Sequence, residues 1–121
     1  MTRILVAEDN RVNQRMLAYT LRKNGHDVIT ALHGLEALEQ LATTPVDLII
    51  ADIDMPEMDG VTLLKQLRAD DRYKSLPVIV LTASAEDEDY DTVRAAGADD
   101  VLTKPASSGE LIAAIKRMLL S

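Results

Sequence analysis

The chain of 121 residues contains no cysteine, tryptophan or phenylalanine, and only two histidines, His26 and His33. Without thiols there is no disulfide framework, thiolate zinc site, iron–sulfur cluster or cysteine nucleophile. Two imidazoles are too few for a multi-histidine metal centre. The aromatics are three tyrosines, Tyr19, Tyr73 and Tyr90, which is too thin a set for a base-stacking surface. No apolar run approaches the roughly 18 residues that a membrane span needs. Met1-Thr2-Arg3-Ile4 lacks the basic and then apolar layout of a signal peptide. A cytoplasmic protein without membrane insertion is expected. Positive charge is also short, with 13 basic against 20 acidic residues and a net charge of −7. That balance opposes attachment to nucleic acid or anionic lipid, so no direct nucleic-acid partner is expected.

What the chain does have is an ordinary globular composition, 47% hydrophobic and 27% charged. Its length suits one domain over residues 1–121, burying roughly two-thirds of the surface of the unfolded chain. Short apolar runs at residues 4–7, 28–31, 46–51 and 78–81, with a weaker one at 101–103, predict strands buried on both faces. Segments of helical period lie between them. Leu35, Leu38, Leu41 and Ala42 are predicted to share one face, and Leu63, Leu64 and Leu67 another. Leu111, Ile112, Ile115, Met118 and Leu119 make the clearest stripe. Helix punctuation agrees: Asn10, Asp59, Ser84 with Asp87, and Ser107 with Glu110 are start signals, while Gly25 and Gly97 are stop signals. Pro45, Pro77 and Pro105 fall at boundaries. The β-α alternation, repeated five times, predicts a doubly wound α/β fold around a parallel sheet.

In such sheets ligands lie beyond the carboxyl ends of the strands, where strand order reverses. Glu8 and Asp9 stand at the end of the first predicted strand, Asp52 and Asp54 at the third, Thr82 at the fourth and Lys104-Pro105 at the fifth. Singly, each has an ordinary reading as a loop acid, a strand-end residue or a surface lysine. Asn10 reads as a helix cap, and Asp27 and Asp47 as strand starts. Jointly they put three or four carboxylates, a hydroxyl and an ammonium on one rim. Clustered carboxylates repel unless a cation intervenes. An all-oxygen donor set without histidine suits Mg²⁺. A carboxylate there can act as nucleophile towards phosphorus, with Lys104 and Mg²⁺ supplying positive charge and Thr82 a hydrogen bond.

These residues resemble a response-regulator receiver domain of two-component signalling. The pieces are Ile4-Leu5-Val6-Ala7-Glu8-Asp9-Asn10, the segment Asp52-Ile53-Asp54-Met55-Pro56-Glu57-Met58-Asp59-Gly60, then Leu81-Thr82-Ala83, and Gly97-Ala98-Asp99-Asp100 leading to Lys104-Pro105. The resemblance covers residues 4–119. It implies a flavodoxin-like (βα)5 sheet of order 2-1-3-4-5, the order that the chemotaxis receiver exemplifies. It implies that Asp52 is the phosphoacceptor, that Thr82 and Lys104 contact the phosphoryl group, and that Glu8, Asp9, Asp52 and the backbone carbonyl of Asp54 hold Mg²⁺. It implies a cis Lys104-Pro105 bond, and a phosphohistidine donor on a histidine kinase or a histidine phosphotransfer domain. It also implies a conformational shift of the fourth helix, fifth strand and fifth helix that signals or relays. Self-phosphorylation and slow autodephosphorylation would be its only chemistry, so it is not expected to be an enzyme.

Two positions depart from the pattern. Val101 stands where many receivers carry Tyr or Phe, and Ala114 where the winged-helix group tends to carry arginine. The first suggests weaker coupling to the surface, because valine is stiff and small. The second argues against the usual dimer, so a monomer is expected, with weak dimerisation the alternative. Asn10 and Asn13 after the acidic pair resemble receivers of hybrid sensor kinases. The end at Ser121 fits either a stand-alone regulator or an excised module.

Three other readings compete. A haloacid-dehalogenase-type enzyme would use Asp52 as nucleophile and Asp54 as general acid, but Met55-Pro56 and the short chain argue against it. A flavodoxin-like flavin module would need a phosphate-binding loop where Glu8-Asp9-Asn10 stands. A receiver that only binds partners would not need the complete set of site residues.

Overall fold

The computed structural model describes residues 2–83 and 87–120, with side chains for all of these except residues 87–89. Strands β1 (Arg3–Ala7), β2 (Asp27–Ala31), β3 (Leu48–Asp52), β4 (Val78–Thr82) and β5 (Asp100–Thr103) alternate with helices α1 (Arg11–Lys23), α2 (Gly34–Thr43), α3 (Gly60–Ala69), α4 (Asp87–Ala95) and α5 (Ser108–Leu119). All strand pairs are parallel, in the order β2-β1-β3-β4-β5. This is the doubly wound, flavodoxin-like sheet that the alternation predicts.

The strands alternate their side chains between two apolar layers. Leu5, Ala7, Ile49, Ala51, Val78 and Val80 face α2, α3 and α4, where Ala37, Leu41, Leu63, Leu64, Leu67 and Val93 meet them. Ile4, Val6, Leu48, Ile50, Ile79 and Leu81 face α1 and α5, against Ala18, Leu21, Leu111, Ala114 and Ile115. Coverage of both faces explains why β3 and β4 are buried at every residue.

Local signals account for most boundaries. Asn10, Asp59 and Ser107 cap α1, α3 and α5 by accepting from the backbone N–H three residues on. Gly25 and Gly97 take φ of 90° and 117°, which glycine adopts without strain. Ser84, the start signal expected for α4, lies outside the described residues. Lys104-Pro105 is cis.

Two details differ from the sequence expectation. The third strand starts at Leu48 rather than at residue 46, and Asp47 lies just before it. The Asp47 carboxylate takes the Arg3 N–H at 2.8 Å, a donor that a longer strand would have met with a main-chain carbonyl. On α2 the buried face is Gly34, Ala37 and Leu41, while Leu35 and Ala42 are exposed. The stripe is rotated by about one residue, because small Gly34 and Ala37 let the helix approach closely. A Cβ on Gly34 would lie 2.8 Å from Met58. Ala114 is fully buried among the layer between α5 and the sheet.

Candidate functional site

Parallel register brings the carboxyl ends of β1, β3, β4 and β5 to one edge, with Ala7 opposite Ala51, Asp52 opposite Leu81 and Thr82 opposite Thr103. The strand order reverses between β1 and β3, whose following helices lie on opposite faces. A crevice opens there by topology alone. Glu8 is the first residue past β1, Asp52 ends β3, Thr82 ends β4 and Lys104 is the first residue past β5.

Carboxylate oxygens of Glu8, Asp9 and Asp52 lie within 4.8 Å of one another. Glu8 and Asp52 are buried, at 2% and 4% exposure, whereas Asp9 is open to solvent. Lys104 Nζ donates to Asp52 Oδ2 at 2.5 Å and sits 3.5 Å from Glu8 Oε2. The Asp54 N–H donates to Asp52 Oδ1 at 3.1 Å, and the Asn10 N–H to Glu8 Oε1 at 3.2 Å. Both Asp52 oxygens are thereby oriented. Burial pushes the Glu8 carboxyl above its ordinary range, and the neighbouring Asp52 charge adds to this. Burial alone would lower Lys104. The hydrogen bond and charge of Asp52, with the charge of Glu8, outweigh it and hold the ammonium above its ordinary value. Both directions express one fact: two buried carboxylates, Glu8 and Asp52, share one ammonium.

The loop after β3 is shaped to leave this site room. The Ile53 N–H donates to Leu81 O, and the Gly60 N–H returns to Ile53 O at 2.9 Å. A Cβ on Gly60 would lie 2.8 Å from the Asp52 carbonyl oxygen, so α3 can start this close to Asp52 only with glycine. Thr82 is buried, and its carbonyl accepts from the Lys104 N–H at 2.6 Å. Beside Lys104 a cavity of about 260 Å³ runs towards α1, lined by Asn13, Met16, Leu17, Thr20 and Pro105 among others.

The structure therefore brings together Glu8, Asp9, Asp52 and Lys104, with Thr82 on the adjoining strand end. The Asp54 side chain is exposed and outside the acidic triad. Three buried or convergent carboxylates with only oxygen donors fit a hard divalent cation, which would relieve the charge that Lys104 leaves uncompensated. Sequence reasoning missed Gln14, whose side-chain amide donates to the carbonyls of Glu8 and Ala31. Its only signal in the sequence is a polar residue one turn past the Asn10 cap.

Residues 4–116 match the family model of the response regulator receiver domain, and the chain belongs to that family. It is a receiver domain of two-component signalling, a signalling module whose family works with histidine kinases. It is 41% identical over 119 residues to PhoP, the alkaline phosphatase synthesis transcriptional regulatory protein of Bacillus subtilis, covering 97% of this chain and 48% of PhoP. It is 34% identical to the polar-differentiation response regulator DivK of Brucella anthropi, covering 96% of this chain and 94% of DivK. The chain thus spans about half the length of the first relative and nearly all of the second. Among solved structures, the receiver domain of the sensor histidine kinase PA1611 from Pseudomonas aeruginosa PAO1 superposes with a TM-score of 0.92 at 32% identity, covering 99% of this chain and 98% of that one. That structure has a magnesium ion coordinated in its active site cleft. Among the described residues no helix is long and apolar enough to cross a membrane.

Proposed function

We propose that residues 1–121 form one receiver domain in which Asp52 accepts a phosphoryl group from a phosphohistidine of a histidine kinase or a histidine phosphotransfer domain. The observation that carries this reading is the placement of Asp52. It ends the central strand, buried, with one oxygen on Lys104 Nζ and the other on the Asp54 N–H, beside Glu8 and Asp9.

An Asp52 carboxylate oxygen attacks phosphorus, the bond from phosphorus to the donor's imidazole nitrogen breaks, and the imidazole leaves with that electron pair. The product is an acyl phosphate on Asp52. Lys104 moves with its charge from the Asp52 oxygen to the phosphoryl oxygens, and the Thr82 hydroxyl donates to another of them. Glu8, Asp9, Asp52 and the backbone carbonyl of Asp54 would hold Mg²⁺, which when bound neutralises charge on the transferring group. Water later hydrolyses the acyl phosphate, and Asp54, two residues past Asp52, influences that rate.

A cytoplasmic monomer that relays its phosphoryl group suits the rest of the molecule. Val101, in the core between β5 and α4, is buried and has one preferred rotamer. It does not supply the swinging ring of a large surface switch. The donor docks along α1, where Val12, Met16 and Tyr19 are exposed at helical spacing beside the cavity near Lys104. The test is treatment with a small phosphodonor and Mg²⁺, followed by mass mapping. Label on the peptide containing Asp52 is expected, and none in Asp52→Ala. Full labelling of Asp52→Ala at another carboxylate would refute the assignment.

A further inference from the structure

The Glu8 and Asp9 carboxylates work as a pair only if the peptide joining them is held, because rotation of that peptide changes the relative direction of the two side chains. We infer that Gln14 is the positioning residue that holds it, an inference that rests on the metal-dependent reading above. The Gln14 amide is a double donor. One donation goes to the Glu8 carbonyl at 3.2 Å, the oxygen of the peptide that joins Glu8 to Asp9, and another to the Ala31 carbonyl at 3.1 Å. Ala31 O also accepts the Glu8 N–H at 3.0 Å. Both main-chain polar groups of Glu8 are therefore tied, its N–H to the end of β2 and its C=O to α1. The Glu8 side chain is then aimed, with the Asn10 N–H on Oε1 and Lys104 on the other oxygen. Removing the Gln14 donors leaves the preceding peptide tied through the Glu8 N–H but releases the Glu8 carbonyl, and frees the Glu8–Asp9 peptide to turn.

The same helix offers a built-in control. Arg22 Nη2 donates to the Val28 carbonyl at 3.3 Å, a second tie from α1 to β2 but at the far end of the helix from the acids. Gln14→Met keeps the length of the side chain and removes its donors. Arg22→Met shortens the side chain and removes the donors of the distant tie. Two readouts apply, amide hydrogen exchange at Asn10 in metal-free protein and the Mg²⁺ dissociation constant from amide shifts of Asp9. Gln14→Met is expected to exchange faster at Asn10 and to bind Mg²⁺ about tenfold more weakly, the low end for residues that orient a metal ligand. Arg22→Met is expected to leave both unchanged. Unchanged Asn10 exchange and Mg²⁺ affinity in folded Gln14→Met would overturn the inference. So would an equal loss in Arg22→Met, which would make the role a general anchoring of α1. Should Gln14→Met not fold, Gln14→Lys offers ammonium donors to both carbonyls. Restored Asn10 protection there supports the tether, and its loss overturns it. If the wild-type chain binds no Mg²⁺ while Gln14→Met still loses Asn10 protection, the tether stands and the metal-dependent reading falls.

Discussion

The two ends of the sheet handle charge in opposite ways. At the amino ends of the strands Arg68 and Arg3 are each matched by a carboxylate and by main-chain carbonyls. Arg68 donates to the carbonyls of Gly97, Tyr73, Lys74 and Leu76 and to the Asp99 carboxylate. Asp99 in turn accepts the Val78 N–H at 2.8 Å. Arg3 pairs with Asp27 at 2.8 Å and reaches the Pro45 carbonyl. At the carboxyl ends, Glu8, Asp9 and Asp52 cluster, and Glu8 and Asp52 share the ammonium of Lys104. One end spends its polar groups on fastening loops to strands. The other holds more negative charge than its one ammonium offsets. The difference locates stability at one end and chemistry at the other, within the same sheet and a few residues of the same strands.

The contrast can be tested by disarming each end. The largest effect is expected from Arg68→Ala, which strips the α3 end, the loop before β4 and the turn before β5 of a shared donor. Its loss should destabilise the fold by about 3 kcal/mol, the upper range for a hydrogen-bonding charged group. Urea unfolding reads this, and Mg²⁺ affinity should stay as in the wild type. A parallel loss of Mg²⁺ affinity would join the two ends and break the comparison. Next is Glu8→Gln, which keeps the shape of the acidic cluster and removes one charge while leaving the pair of Lys104 with Asp52. Without Mg²⁺ it should stabilise the fold by about 1 kcal/mol, since like charges at this separation repel on that scale even in water. A lower melting temperature at neutral pH would show that Glu8 is compensated in the metal-free protein. The smallest effect belongs to Arg3→Ala, because this ion pair is exposed. The hydrogen bond from Arg3 holds the Asp27 carboxyl below its ordinary value. That contribution is present above the unfolded carboxyl value of about 3.9 and fades as pH falls through the lower folded value. The stability gap between wild type and Arg3→Ala should therefore close in acid. A gap that widens as the pH falls would contradict the pairing.

The sequence made the site more legible than the packing around it. Parallel strands bring every carboxyl end to one edge, so Glu8, Asp9, Asp52, Thr82 and Lys104 could be gathered once five strands had been read. The caps at Asn10, Asp59 and Ser107 were legible because a cap is a local event within four residues. His33, whose ring nitrogen accepts the Glu36 N–H at 3.2 Å and caps α2, was not anticipated, since imidazole is an uncommon cap. The buried face of α2 was misread because leucines outrank Gly34 and Ala37 in any hydrophobic pattern, while close approach favours the small residues. Gln14 and Arg68 left no periodic trace at all. Their partners are mainly main-chain carbonyls brought near by the fold, and the one complementary side chain, Asp99 for Arg68, lies 31 residues away in sequence.

The central claim is that the acidic end carries more negative charge than Lys104 offsets, and that a divalent cation would supply the rest at Glu8, Asp9 and Asp52. Thermal melting with and without Mg²⁺ tests it most directly. Saturation at about a hundredfold excess over the dissociation constant should stabilise the native state by about 2.7 kcal/mol, and the variant carrying both Asp9→Asn and Asp52→Asn should lose that gain. An unchanged midpoint in tens of millimolar Mg²⁺, or an equal shift in the double variant, would contradict the account.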